Sequence, residues 1–371
     1  MKNKLLTLFA VAIVCFVAYS GTGNEVYDPE KTLLIRTMAI DHLDDEVYIS
    51  ASAGTGTEES RVRMFSARGK SVSDAAYRLV NGTDNGNVEL SHTEHIIIGE
   101  ESAKTSAIPQ VLDYVARSTD MRTDIKIYIA KGSTAHELLS SMVESGSPPA
   151  DVLTELAKKA DMLMTGHAYS CKDVSAVAMR HDAVAVMAIK HGENTPTSDG
   201  FGIIIGGKLS AFTDDTETKG MCIIENTAKS DSLSVDVLGK TATVSITDIS
   251  CTVIPKIENG RLKISVTVCA EMGVTELDGY LDIEDANVRA ELEGKAESAI
   301  LASAVSAVEK SESLGADFLR LGERCRVMRP IGAKSGADMY ESAPRADAVV
   351  IEVKTTLKRT YDTVDHGGGK A

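Results

Sequence analysis

The chain has 371 residues, too many for one comfortable hydrophobic core, so two or three domains are expected. Its formal net charge of -15 at pH 7 disfavours nucleic-acid binding, because the overall field repels phosphates. Aromatic residues make up 4% and tryptophan is absent, which argues against carbohydrate-stacking platforms and single-strand nucleic-acid grooves. The six cysteines include no C-x-x-C pair, so neither a zinc knuckle nor a redox motif is supported.

The N-terminus has the pattern of a secretory signal. Two lysines within the first four residues precede an uncharged apolar run at residues 5–19. As a helix this run would rise roughly 22 Å, short of the roughly 30 Å hydrocarbon core, so export is favoured over spanning. We assign residues 1–20 to a signal peptide or N-terminal membrane anchor. Cleavage after Ser20, lipidation of Cys15 and retention of the segment all stay open.

The next part of the chain alternates strand and helix patterns. Residues 33–40 and 46–52 flank a polar turn and predict a hairpin, and a helix with Ser71 as its N-cap follows. The further predicted elements are a strand at 94–99, a helix at 108–117 and a strand at 125–130. Strand, helix and strand in this order predict a crossover α/β unit packed on one sheet.

The pattern weakens over residues 134–190. Helices at 135–143 and 152–160, separated by a break at 147–149, and a strand at 183–189 can still be assigned. Residues 191–200 have the composition of a linker, and we place the main domain boundary there. Residues 21–195 then form an N-terminal α/β region with room for two subdomains, and residues 196–365 form a C-terminal α+β domain.

The C-terminal half has more regular signals. Gly206-Gly207 and Asn259-Gly260 each separate two strand patterns and predict two hairpins, 202–205 with 208–212 and 242–255 with 261–271. Residues 285–313 predict one long helix, and 348–361 a half-buried antiparallel strand. The tail 366–371 is predicted to be disordered. The fold class is therefore α+β and multi-domain, with mixed sheets, packed helices, antiparallel hairpins and one long C-terminal helix.

Two motifs imitate functional sites. Gly202, Gly207 and Lys208 have the spacing that opens a phosphate-binding loop, but Leu209 stands where a hydroxyl should bind magnesium. The residues between the glycines are strand-like, so a hairpin is favoured. His92 and His95 suggest a metal site, yet an offset of three in one strand would point their rings to opposite faces. Structural roles are therefore favoured for both.

No other pattern in the sequence predicts chemistry. His167, His181 and His191 lack a paired carboxylate at ligand spacing and are assigned to surface or packing roles. The acidic residues at 214–217 lack the glycine pivot of a calcium loop and are interpreted as a solvated turn. No Gly-x-Ser-x-Gly elbow occurs, although a dispersed catalytic triad stays open. We assign no catalytic, cofactor-binding or metal-binding residue.

Several stretches in one order resemble a known family, the C subunits of bacterial spore germinant receptors, Ger(x)C. The matching pieces are Gly-Lys-Ser at 69–71, SHTEHIIIGEE at 91–101, the hairpin and acidic segment at 202–220, the turn at 259–260 and ADFLRLGE at 316–323. The resemblance covers most of residues 33–360. The family is usually a lipoprotein whose cysteine precedes Trp-Asp, and residues 20–23 contain neither feature.

The resemblance implies a non-enzymatic extracytoplasmic protein of three subdomains at the spore inner membrane. It implies work with the integral membrane A and B subunits of the receptor, contact with the membrane surface, no cofactor and no nucleic acid. By the same analogy, the nutrient would bind a partner subunit. The alternative from another class is an exported solute-binding protein or hydrolase with an interdomain cleft near residues 191–200.

Overall fold

The computed structural model describes residues 32–54, 62–82, 87–178, 183–193, 195–259, 261–277, 282–322, 324 and 346–360. The predicted signal segment with Cys15 and Ser20 lies outside these residues, as do His181, Gly260 and the tail 366–371. Over the described ranges, none of the helices combines the length and the apolar character that crossing a lipid bilayer requires.

The first sheet contains nine strands of the described chain. They are β1 (Thr32–Leu43), β2 (Glu46–Ala53), β3 (Arg63–Gly69), β4 (Asn87–Glu89), β5 (His95–Gly99), β6 (Lys126–Ala130), β7 (Ala183–Lys190), β8 (Thr197–Ile205) and β9 (Lys208–Phe212). Their order is β3-β2-β1-β5-β6-β7-β8-β9, with β4 beside β1. β1, β5, β6 and β7 are parallel, whereas β2, β3, β8 and β9 pair with their neighbours antiparallel.

Helices cover both faces of this sheet. They are α1 (Val72–Asn81), α2 (Glu100–Ala103), α3 (Ala107–Arg117), α4 (Ala135–Glu144), α5 (Pro149–Leu163) and α6 (Cys171–Ala178). α1, α3 and α6 pack on one face, and α4 and α5 pack on the other. All five residues of β5 are buried because helices shield both sides, which explains its continuous apolar sequence. The predicted crossover α/β unit is confirmed.

Two predicted features of these helices are confirmed in detail. Ser71 is the N-cap of α1, and its side chain accepts a hydrogen bond from the Asp74 N–H at 3.1 Å. The break predicted at 147–149 separates α4 from α5, with Pro149 in the first turn of α5.

The second sheet lies in the C-terminal half. Its strands are β10 (Asp231–Val237), β11 (Lys240–Glu258), β12 (Arg261–Leu277) and β13 (Val349–Thr360), in the order β10-β11-β12-β13. The helices are α7 (Asp215–Ile224), α8 (Ala286–Leu314) and a 3-10 turn at Ala346–Ala348. α8 buries the stripe that the sequence predicted: Val288, Leu292, Ala296, Ile300, Ala304 and Val308. The α+β class with two mixed sheets is confirmed.

The direction of β13 corrects a prediction. The alternating pattern at 348–361 was interpreted as an antiparallel strand, but β13 pairs with β12 in parallel, for example Val266 with Ile351. The alternation reports one buried and one exposed face and carries no information about direction. The chain reaches β13 only after α8, and a long crossover connection of this kind suits a parallel neighbour.

The region predicted as a linker is partly strand. β8 begins at Thr197, inside residues 191–200, and pairs antiparallel with β7. β8 and β9 therefore belong to the first sheet by hydrogen bonding, although they follow the boundary predicted at residue 195. That boundary stays a prediction.

The acidic residues at 214–217 start a helix, which corrects their interpretation as a solvated turn. The Asp214 N–H donates to Glu217 Oε2 at 2.9 Å, and the Glu217 N–H donates to Asp214 Oδ1 at 2.8 Å. This reciprocal pair is a capping box, and it satisfies backbone donors at the start of α7. The spacing of an acid and a glutamate three residues later was the signal available in the sequence.

Two glutamates of α8 hydrogen-bond to the backbone of the edge strand β13. Glu297 Oε1 accepts from the Thr355 N–H at 3.0 Å, and Glu293 Oε1 accepts from the Leu357 N–H at 2.9 Å. β13 is an edge of its sheet, so these N–H groups have no neighbouring strand on that side among the described residues. The carboxylates take the place of that strand and block edge-to-edge pairing at these two positions.

We expect the double substitution Glu293→Ala and Glu297→Ala to lower the free energy of unfolding by about 2 kcal/mol, since two hydrogen bonds are lost. We also expect concentration-dependent association, because the uncovered edge can pair with another chain. Urea unfolding and size-exclusion chromatography measure the two effects. Glu309→Ala is the control, because Glu309 is exposed on the same helix and its side chain has no hydrogen bond or ion pair within the described structure. Equal behaviour of both variants would contradict the capping role.

Candidate functional site

A groove of about 570 Å³ lies at the amino ends of β5 and β6, beside α5. Three of the histidines considered from the sequence line it: His92, His95 and His167. His92 sits in the turn before β5, whereas His95 is the first residue of that strand. The premise that both belong to one strand is therefore wrong, and the turn brings both to the same groove.

His95 is fixed by hydrogen bonds on both ring nitrogens. Nδ1 lies 3.1 Å from the Tyr128 hydroxyl, and Nε2 lies 3.1 Å from Thr154 Oγ1. Thr154 Oγ1 donates its own proton to the Ala150 carbonyl at 2.8 Å, so it accepts from the His95 Nε2–H. The Tyr128 hydroxyl then donates to Nδ1. The neutral ring thus links β5, β6 and α5.

Burial makes this neutral state the stable one. His95 is 4% exposed, and removal from water lowers its pKa to about 4. The nearby Glu94 carboxylate opposes this shift, and the Arg36 guanidinium reinforces it. A ring that remains uncharged and fully hydrogen-bonded at neutral pH serves packing better than proton transfer.

His167 has a carboxylate partner that the sequence analysis missed. Its Nδ1 lies 2.7 Å from Asp161 Oδ1, and Asp161 Oδ2 lies 3.7 Å from the Lys229 ammonium. α5 ends at Leu163, and its C-cap Met164, with a φ of 50°, turns the chain back and returns His167 beside the last turn of the helix. Residues six apart do not lie side by side in a regular helix or strand. The Asp161–His167 pair therefore depends on the turn after α5 and could not be predicted from spacing.

The other acids of the groove are also neutralised inside the protein. Glu94 pairs with Arg36 at 2.7 Å, and Asp124 pairs with Arg122 at 2.6 Å. Histidine, cysteine and carboxylate side chains form no group of three able to hold a metal ion anywhere in the described residues. The groove therefore offers hydrogen-bonding groups, and the described part of the chain offers no preformed metal centre.

At the opposite edge of the sheet, where the parallel strands have their carboxyl ends, the protein's own side chains occupy the space that a ligand would use. Ligands of parallel α/β sheets usually bind at this edge, with anions at helix N-termini. Here the Asp41 carboxylate accepts the Ala135 and His136 N–H groups at the start of α4, at 2.9 and 2.8 Å. Burial raises the pKa of Asp41, and these two bonds oppose that rise. A Cβ on Gly99 would lie 2.0 Å from Asp41 Oδ1, so the space is closed.

The glycines that have the spacing of a phosphate-binding loop belong to a hairpin, as predicted. Gly206 and Gly207 have φ of 56° and 80° and form the turn between β8 and β9. Gly202 is within β8, and a Cβ there would lie 2.6 Å from Ile129 Cδ1. Its role is close packing inside the sheet layer.

No cleft between the two sheets accompanies residues 191–200 in the described structure. A cavity of about 300 Å³ borders His191, but its other walls are α4 and α5 of the first sheet's layer. His191 is exposed. The geometry therefore gives the interdomain-cleft hypothesis no support at the position where the sequence suggested it.

Comparison with known proteins identifies the family. A sequence model described as "Spore germination protein N-terminal domain" matches residues 26–184, and one described as "Spore germination B3/ GerAC like, C-terminal" matches residues 199–361. Spore germination protein KC of Bacillus subtilis (strain 168) is 21% identical over 364 residues, covering 88% of this chain and 89% of the relative. Spore germination protein B3 of the same organism is 22% identical over 292 residues, covering 74% and 75%.

A solved structure has the same fold. The one titled "Crystal Structure of the GerBC protein" superposes with a TM-score of 0.55 at 16% identity, covering 87% of this chain and 97% of that chain. The two sequence matches together span most of the chain, in the order N-terminal then C-terminal domain. The chain belongs to the GerAC-like family of spore germination proteins.

Proposed function

We propose that this chain is a non-enzymatic, extracytoplasmic subunit of a nutrient germinant receptor in bacterial spores. Membership in the family supports a role in spore germination. The observation that carries the proposal is the match of both family domains, in order, on a chain with the matching two-sheet fold. In the proposal the protein acts through surfaces that assemble with the integral membrane A and B subunits.

The compartment proposed is the extracytoplasmic face of the spore inner membrane. The basic and apolar N-terminal segment at residues 1–20 supports export, and the same segment or a lipid on Cys15 would supply membrane attachment. Mass spectrometry of the membrane-extracted protein distinguishes a diacylated Cys15, a free Gly21 and an intact Met1.

Two features of the groove favour a non-enzymatic role. His95 is kept neutral by burial, with both ring nitrogens hydrogen-bonded, and the acids Glu94, Asp124 and Asp161 each have a basic partner within the protein. A general acid or base needs a pKa near the operating pH and access to the substrate proton. The pKa of His95, about 4, lies well below neutral pH.

The test is deletion of the gene in a spore former whose other nutrient receptors have been removed. We expect nutrient-triggered germination to be lost, because an incomplete receptor cannot transmit the signal. The number of refractile spores formed should stay at the parental value. Reintroducing the wild-type gene is the control and should restore the nutrient response, and affinity purification of that tagged copy should recover two polytopic membrane proteins. Normal germination of the null spores with every nutrient tried would contradict the proposal.

A further inference from the structure

The groove at the amino ends of β5 and β6 contains hydrogen-bond donors that the protein leaves unused. Its acids are paired, and its rim lysine, Lys158, lies 2.7 Å from Glu155. Lys126 and His92 also line the groove. In the described structure neither of these two side chains has an ion pair or a side-chain hydrogen bond.

Lys126 is placed at the floor of the groove by the sheet. It is the first residue of β6 and pairs with His95 of β5, so the two side chains share one face, the face covered by α5. Lys126 is half-buried. The carboxylates of Asp124 and Asp173 interact with the Lys126 ammonium electrostatically, but neither forms a close ion pair with it. A partly desolvated ammonium that lacks such a close pair gains free energy when an anion replaces its lost hydration.

The rest of the lining favours an organic anion of small size. Ile125, Ala157 and Ala168 contribute apolar surface next to Lys126. A volume of about 570 Å³ is typical of small-molecule pockets. One ammonium and one imidazole match a single carboxylate, and the net charge of -15 opposes the approach of polyanions.

We propose that this groove binds a small organic monocarboxylate, with Lys126 as its counter-ion and His92 as a second donor. The carboxylate lies against the Lys126 ammonium, and the body of the ligand contacts Ala157 and Ala168. This proposal does not rest on the receptor-subunit function, since it is tested by binding to the purified chain alone.

The test is a titration of the purified full chain, labelled with ¹³C at alanine methyl groups, with propionate and with benzoate. Ala157 and Ala168 report from the groove, and Ala304, on the buried face of α8, reports on the rest of the fold. Benzyl alcohol is the probe that matches benzoate in shape without the charge. We expect saturable shifts of Ala157 and Ala168 with at least one carboxylate, weakened by added salt, and none with benzyl alcohol.

Substitutions at two lysines complete the design. Lys126→Gln should weaken carboxylate binding about tenfold, the loss expected when one charge-assisted hydrogen bond is removed. Lys126→Arg should retain binding, and Lys158→Gln, on the rim but paired with Glu155, should bind as the parent does. An unchanged Ala304 signal shows that each variant is folded.

Three results would overturn the proposal. They are no saturable shift with either carboxylate, equal shifts with benzyl alcohol, and equal affinity of the parent and Lys126→Gln. If Lys126→Gln does not fold, two comparisons decide the question. On the parent, benzoate must shift the groove signals and benzyl alcohol must not. Lys126→Arg must retain the carboxylate binding of the parent.

Discussion

Gly220→Ala is expected to lower the free energy of unfolding by about 2–3 kcal/mol, as overpacking of a tight core does. Gly220 lies in α7, where α7 crosses α8, and a Cβ there would lie 1.9 Å from the Ser303 carbonyl oxygen and 2.9 Å from Ala307 Cβ. The carbonyl belongs to helix backbone, so relief requires α7 and α8 to move apart. That separation would open the core that both helices share with the second sheet.

The matched control is the same substitution in the partner helix. Gly294 lies within α8, and a Cβ there would meet no atom within 4 Å. Gly294→Ala should raise the free energy of unfolding by about 0.5–1 kcal/mol, the difference in helix propensity. Urea unfolding of both variants measures the two signs. A neutral or stabilising Gly220→Ala would show that the close approach of α7 and α8 is absent in solution.

The stability of the protein is expected to fall by about 3 kcal/mol between pH 6.5 and pH 4 through His95 alone. The pKa of His95 is about 4 in the folded chain, chiefly because of burial, against a usual value of 6.5. Between pH 6.5 and pH 4 the His95 side chain is protonated in the unfolded chain and neutral in the folded chain. The contribution of neutral His95 to the free energy of unfolding is therefore fully present above pH 6.5 and is lost as the pH falls towards 4.

His95→Gln isolates this contribution from carboxylates that titrate in the same range. The free energy of unfolding, measured in urea at pH 7.0 and pH 4.5, should fall by about 2–3 kcal/mol less in the variant than in the parent. His92→Gln is the matched control, because it removes an exposed histidine from the same groove. If the parent and His95→Gln lost stability in parallel, the ring would not be held neutral in the folded protein.

The candidate groove was only partly foreseeable. His92, His95 and His167 were considered from the sequence, but their convergence depends on a turn before β5 and a left-handed residue at the end of α5. Asp161 and Lys126 were not singled out. Asp161 is six residues from its partner His167, and Lys126 reaches the groove through its sheet pairing with His95. Neither the Asp161–His167 pair nor the pairing of Lys126 with His95 produces a periodic pattern in the sequence.

The family resemblance drawn from the sequence is confirmed by the matches at residues 26–184 and 199–361. Elements with a strong local pattern were also predictable, such as β5, α1 and the stripe of α8. Elements with weak or mixed patterns, or of only a few residues, were missed: β3, β4, α2, α6, α7 and β10. α7 packs against α8, which is distant in the chain, whereas β3 and β10 pair with the neighbouring strands β2 and β11.

The sequence by itself determined the α+β class, the helix start at Ser71, the break before α5, the turn at Gly206 and the family. These features depend on side-chain periodicity, capping and backbone freedom, which act within about one turn of chain. Only the tertiary structure decided the parallel direction of β13, the membership of β8 and β9 in the first sheet, and the groove around Lys126. Which strands pair and which side chains converge depends on packing between segments that are distant in the chain. The local sequence pattern does not contain that information.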